Sequence, residues 1–148
     1  TPRKKIRLRS YNNLQDYSLE FKYTNAYHRK KIVLKNFKYS QLELIKILKE
    51  YNINELIYPK IGVTYLRYYF LSSLGRITVD QNIYFQQVNN SLQLSNRLIR
   101  DRKIILELKI EGKEREKFDK NEIARYFKFK EIRNSKYCNG VNSFINLY

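Results

Sequence analysis

The residues of this chain that could hold an anion recur in one pattern. Arg7-Leu8-Arg9, Glu20-Phe21-Lys22, Tyr65-Leu66-Arg67, Arg76-Ile77-Thr78-Val79-Asp80 and Glu107-Leu108-Lys109 each set charged or polar residues two apart with apolar residues in the gaps. Successive side chains of a strand point to opposite faces, so each stretch reads as a strand with one apolar and one charged face. Arg7, Arg9, Glu20, Lys22, Arg67, Arg76, Asp80, Glu107 and Lys109 then share the charged side. The planar fork of Arg makes multidentate contacts with phosphate that Lys does not, and Tyr11, Tyr65 and Tyr69 fall on the same parity as the Arg residues. If the sheet closes on itself, these cations need a counter-anion, because a desolvated unpaired charge costs several kcal/mol. Glu20, Asp80 and Glu107 would pair with the cations or hold a divalent metal through hard oxygen ligands. A solvated sheet face is the competing reading of the same alternation.

The elements that must position these residues follow from pattern and punctuation. Residues 3 to 35 read as three strands with turns at Asn12-Asn13 and Thr24-Asn25, the third running from Tyr27 to Lys35 with its inward parity left open by the basic run His28 to Lys31. Ser40 precedes Glu43 by three, and Leu42, Ile45, Leu48 and Tyr51 recur at helical spacing, predicting a capped helix over 41–51. A hairpin is expected from Ile61 to Phe85 with its turn near Ser72 to Gly75, then a loop over Gln86 to Asn96 with at most a short strand at Ser91 to Leu94. Lys103 to Ile110 reads as a strand, and Asp119 caps a last helix to about Phe129, burying Ile123, Tyr126 and Phe127. Strands joined by short turns imply an antiparallel sheet, with both helices packed on its aliphatic face.

The 148 residues carry 30 Lys+Arg against 14 Asp+Glu, a net charge of +16, with 43% hydrophobic residues. That is one domain, residues 1–148, able to form a core and strongly attractive to polyanions. Charge alone leaves nucleic acid, an anionic membrane surface and a polyphosphorylated small molecule open as partners. Cys138 is the only cysteine, which excludes an internal disulfide or a Cys-based metal site and fits a reducing, cytoplasmic compartment. No apolar run reaches the length of a bilayer span, so the chain is not expected to span a membrane, and any membrane association would come through other domains or partners.

Arg-Leu-Arg-Ser-Tyr at 7 to 11, Leu-Glu-Phe-Lys at 19 to 22, Tyr-Leu-Arg at 65 to 67, Arg-Ile-Thr-Val-Asp-Gln-Asn-Ile at 76 to 83, Ile-Leu-Glu-Leu-Lys at 105 to 109 and Asn-Ser-Lys-Tyr-Cys-Asn-Gly at 134 to 140 together resemble the VTC domain. That is the polyphosphate polymerase branch of the triphosphate tunnel metalloenzymes, relatives of the CYTH proteins. The resemblance implies an α+β fold: an antiparallel β-barrel or tunnel, CYTH-like, with flanking helices. It also implies binding of ATP or inorganic polyphosphate with Mn2+ or Mg2+, and transfer of the terminal phosphate of ATP to a growing chain. By motif, Arg7, Arg9, Lys22, Arg67 and Arg76 would grip phosphate, with Lys109 beside them on the charged face and Glu107 as the metal ligand. Lys136 would close over the phosphates and Arg133 supply a second basic residue; Arg67, Arg76 and Lys136 would be the residues at the reacting centre. Arg67→Ala or Arg76→Ala is expected to abolish triphosphate binding while leaving the fold intact. The sequence begins without Met, and family members carry upstream strands, so this chain is expected to be the C-terminal portion of the tunnel domain: a truncated piece, a chain whose missing strands another polypeptide supplies, or a degenerate relative that binds without turnover.

A triphosphatase or a nucleotidyl cyclase of the same fold is the near alternative. A nucleic-acid or general polyanion binder without catalysis is the distant one, although no specific nucleic acid is expected; it requires exposed aromatics on the charged sheet face and affinity that grows with oligonucleotide length. His28, Cys138 and the run Lys113 to Lys117 are read as a surface side chain, a small half-buried residue and a solvated loop.

Overall fold

The computed structural model describes residues 3–11, 16–24, 28–54, 57–72, 75–110, 132 and 134–145. The chain divides into two compact units, Thr1–Pro59 and Lys60–Tyr148.

In the first unit, β1 (Arg3–Arg9), β2 (Tyr17–Thr24) and β3 (Arg29–Phe37) form an antiparallel sheet in sequence order, followed by α1 (Gln41–Glu50). The helix starts where expected: the Ser40 hydroxyl accepts from the Glu43 backbone N–H at 3.1 Å, meeting one of the donors a helix N-terminus leaves open. Leu19, Phe21, Phe37, Leu44, Leu48 and Ile53 make the core, with Ile6, Leu8, Ile32 and Leu34 against it. The aliphatic strand parity therefore faces α1, as the alternation requires. Asn36 has a positive φ of 55°, a conformation Asn tolerates, and sits in the bulge that shifts the β2–β3 register near Tyr17 and Leu19.

In the second unit, β4 (Ile61–Ser72) and β5 (Gly75–Gln87) form the long hairpin. The far edge of β5 is shared: β7 (Ile105–Ile110) pairs with its first half, Gly75 to Asp80, and β6 (Ile99–Asp101) with its second, Ile83 to Phe85. A helix, α2 (Lys136–Ile145), follows. Gly75 opens β5 at φ 136°, and a Cβ there would lie 2.2 Å from the Lys109 carbonyl oxygen, so only glycine fits this approach to β7.

The architecture is α+β with antiparallel sheets, and among the described residues no closed barrel forms. Two expectations change, and a third falls outside the described residues. The strand predicted from Lys103 begins at Ile105, because the Asp101 carboxylate accepts from the Lys103 backbone N–H at 3.1 Å and turns the chain there. The segment 91–94 makes an isolated bridge, Val88 to Leu94, while the short strand lies at Ile99–Asp101. The helix expected over 119–129 and the run 113–117 lie outside the described residues, and the helix that is described begins at Lys136, within the motif read as following the last helix.

Candidate anion-binding site

Register decides which charges meet. In the first unit Arg7 stands opposite Glu20, Arg9 opposite Ser18, and Lys5, Lys22 and Lys31 form one rung across three strands. Glu20, only 5% exposed, gathers the cations around it: Arg7 Nε donates to it at 2.5 Å, Lys31 lies at 3.1 Å and Arg9 at 3.7 Å. Burial alone would push the Glu20 carboxyl up, but the bonds from Lys31 and Arg7 outweigh it and hold the group below its ordinary value. Arg9 also donates to the Tyr11 hydroxyl at 2.7 Å. The ambiguous parity of β3 is thereby resolved: Lys31 belongs to the charged face and Ile32 and Leu34 to the core. Lys22 is exposed and stands directly opposite both Lys5 and Lys31, and like charges directly opposite one another disfavour strand pairing.

The second unit holds the more enclosed cluster. Three rungs of β4, β5 and β7 lie in succession on one face: Arg67–Asp80–Ile105, Tyr69–Thr78–Glu107 and Leu71–Arg76–Lys109. Asp80, 1% exposed, takes two bonds from Arg67, Nε at 2.5 Å and Nη2 at 2.7 Å, and a direct ion pair from Lys136. Burial works to raise the Asp80 carboxyl, yet the bonds from Arg67 and Lys136 prevail and keep it low. The same bidentate bond raises Arg67 further above its ordinary range. Tyr65 and Tyr69 flank Arg67 at 5.2 and 5.9 Å from its guanidinium carbon, and Lys136 Nζ lies 4.8 Å from the Tyr65 ring. Arg67 and Lys136, distant in sequence, thus share one carboxylate and one aromatic wall.

This contact depends on a bulge. Asn82, at φ 51°, inserts an extra residue into β5 near Tyr65, so the face that carries Arg76, Thr78 and Asp80 continues as Ile83 and Phe85. The charged face therefore becomes apolar at one end, and α2 packs there, with Phe144 buried against Ile83 and Phe85. Gly140 allows the approach: a Cβ would lie 2.8 Å from Ile61 Cγ2 and 2.9 Å from Phe85 Cδ1. Lys136, Gly140 and Phe144 follow at intervals of four, one stripe of the helix. The expected packing on the aliphatic face holds for α1, while α2, which was not among the expected helices, sits on the charged side. The opposite face of this unit leaves Leu66, Phe70 and Leu106 exposed among the described residues.

Of the remaining expected residues, Arg76 is exposed on the outermost rung, opposite Lys109. Glu107 pairs with Lys109 at 3.3 Å and is about half exposed. Among the described residues no group of three His, Cys, Asp or Glu side chains converges on one point. A lone exposed carboxylate fits a cation that arrives with phosphate oxygens already attached, the usual way Mg2+ is held, and does not fit an all-protein metal cage. Arg133 lies outside the described residues. Cys138 is exposed, not half-buried, because it lies off the α2 stripe that meets the sheet. Sequence reasoning missed Lys31, whose place needs the β2–β3 register, and the role of Asp80, whose signal was its parity with Arg76.

Two antiparallel sheets, each with one face of cations gathered on a buried carboxylate, place the chain in the α+β class. Comparison with known families matches the VTC domain over residues 1–145, and the chain belongs to that family. No curated protein and no solved structure matches it. Among the described residues, no helix is long and apolar enough to cross a membrane.

Proposed function

We propose that the chain binds the phosphates of ATP and inorganic polyphosphate on its charged sheet faces, and that its domain transfers the terminal phosphate of ATP to a growing polyphosphate chain. The reading is carried by the Arg67–Asp80–Lys136 cluster in a member of the VTC family. Phosphoryl transfer needs alignment and charge stabilisation more than covalent chemistry from the protein. Arg67 is fixed by two bonds to Asp80 and by Tyr65 and Tyr69, and of its five N–H donors those not given to Asp80 can reach a phosphate oxygen without first being ordered. Lys136 supplies a second donor to the same space, Arg76 and Lys109 extend the positive field outward, and Arg7, Arg9, Lys22 and Lys31 make a comparable face on the first unit. Glu107 would hold Mn2+ or Mg2+, which neutralises phosphate charge when bound. Enclosure of the linear anion in a tunnel belongs to this proposal, supported by the charged face that the first unit's sheet turns away from its α1 core.

A second reading has an observation of its own. Tyr69 and Tyr11, 57% and 61% exposed, stand beside Arg67 and Arg9 on the charged faces, where single-stranded nucleic acid could stack. Incubation of the protein with ATP and Mn2+ separates these readings. Long-chain polyphosphate among the products supports transfer, free orthophosphate alone supports hydrolysis, and absence of turnover with affinity rising with oligonucleotide length supports nucleic-acid binding.

A further inference from the structure

Thr78 occupies the centre of the three rungs, with Arg76 and Asp80 on either side along β5, Tyr69 across on β4 and Glu107 across on β7. It is 3% exposed, and its Oγ1 is the buried side-chain atom without a hydrogen-bond partner among the described residues. A hydroxyl withdrawn from water and left unbonded destabilises the fold, and native structures leave few such atoms unexplained. The neighbours make the case sharper. Glu107 stands directly across on β7, where it pairs with Lys109, and Asp80, two residues along, is taken by Arg67 and Lys136, yet Thr78 Oγ1 bonds neither carboxylate. A small apolar residue would fill the position without that penalty.

We infer that Thr78 is a phosphate-binding residue whose hydroxyl donates to an oxygen of a phosphate chain lying between Arg76 and Arg67. The inference rests on the phosphate-binding reading above and adds to it a neutral donor at the centre of a cationic face. A row of cations attracts any polyanion, whereas a single hydroxyl with one proton to give fixes the position of one oxygen. Thr78 therefore sets the register of the phosphates along the sheet, while the cations set the affinity.

The test compares the parent, Thr78→Val and Thr78→Ser by calorimetric titration with inorganic tripolyphosphate, alongside their urea denaturation. Thr78→Val keeps the shape and removes the donor. It should weaken tripolyphosphate about tenfold, the loss expected of one hydrogen bond to a charged oxygen, while its denaturation midpoint stays level or rises. Thr78→Ser should bind within about twofold of the parent, since the donor is retained. Parent-like binding by Thr78→Val would overturn the role of Thr78 and leave the phosphate reading standing. Failure of the parent itself to bind tripolyphosphate would overturn both.

Discussion

Asp80 is the residue on which the second unit's chemistry turns. Its carboxylate is buried, yet both its acceptor oxygens are taken by cations that a phosphate ligand would also use. Removing a charge from such a group leaves its partners uncompensated, so Asp80→Asn should destabilise the protein by about 3 kcal/mol, measured by urea denaturation. The same pairing means Arg67→Ala is not neutral to the fold, because a buried carboxylate would keep only Lys136; the exposed Arg76 is the cleaner probe of binding. Asp80 and Glu20 both have carboxyls depressed in the folded state from ordinary values of 3.8 and 4.5. A depressed folded value stabilises the protein above the ordinary value, and that contribution disappears as pH falls through the folded one. The urea midpoint should therefore be nearly level from about pH 7 to pH 5 and fall below about pH 4. A midpoint that rises on acidification would contradict the pairing.

Among the elements, α2 does the positioning that strand alternation cannot. Its stripe of Lys136, Gly140 and Phe144 places an ammonium on Asp80 because Gly140 lets the helix backbone approach β4 and β5. Valine at position 140 would have to displace Ile61 or Phe85, costing about 1–3 kcal/mol, and would lift Lys136 from its partner. Gly140→Val should lower both the urea midpoint and tripolyphosphate affinity, whereas Asn142→Ala, on an exposed position of the same helix, should change neither. This helix also shows where sequence pattern ran out. A glycine in its middle disfavours helix by about 1 kcal/mol relative to alanine, and the reason for tolerating it is a contact with Ile61 and Phe85, both distant in sequence. The strands were legible because each alternates over several residues, and α1 because Ser40, Glu43 and its apolar stripe agree. The bulge at Asn82 was not, since nothing in Asp80-Gln81-Asn82-Ile83 distinguishes a parity switch from continued alternation.

At the scale of the whole molecule, the +16 charge of the chain announced a polyanion but not its kind, and six short motifs in order supplied the family. The candidate site was legible as a set of types: Arg67, Arg76, Glu107 and Lys109 do share a sheet face, as do Arg7, Arg9, Glu20 and Lys22. Who pairs with whom was not, because a pairing such as Arg67 with Asp80 and Lys136 joins residues distant in sequence and is fixed only by register and helix docking. The proposed function requires these cations to bind phosphate chains at a defined place. Titration of the parent and of Arg76→Ala with inorganic tripolyphosphate, read by calorimetry, tests it most directly. The account predicts saturable binding by the parent and a loss of at least tenfold in Arg76→Ala, about the worth of one charge-assisted phosphate contact, with the urea midpoint unchanged; equal affinity in the two proteins would contradict it.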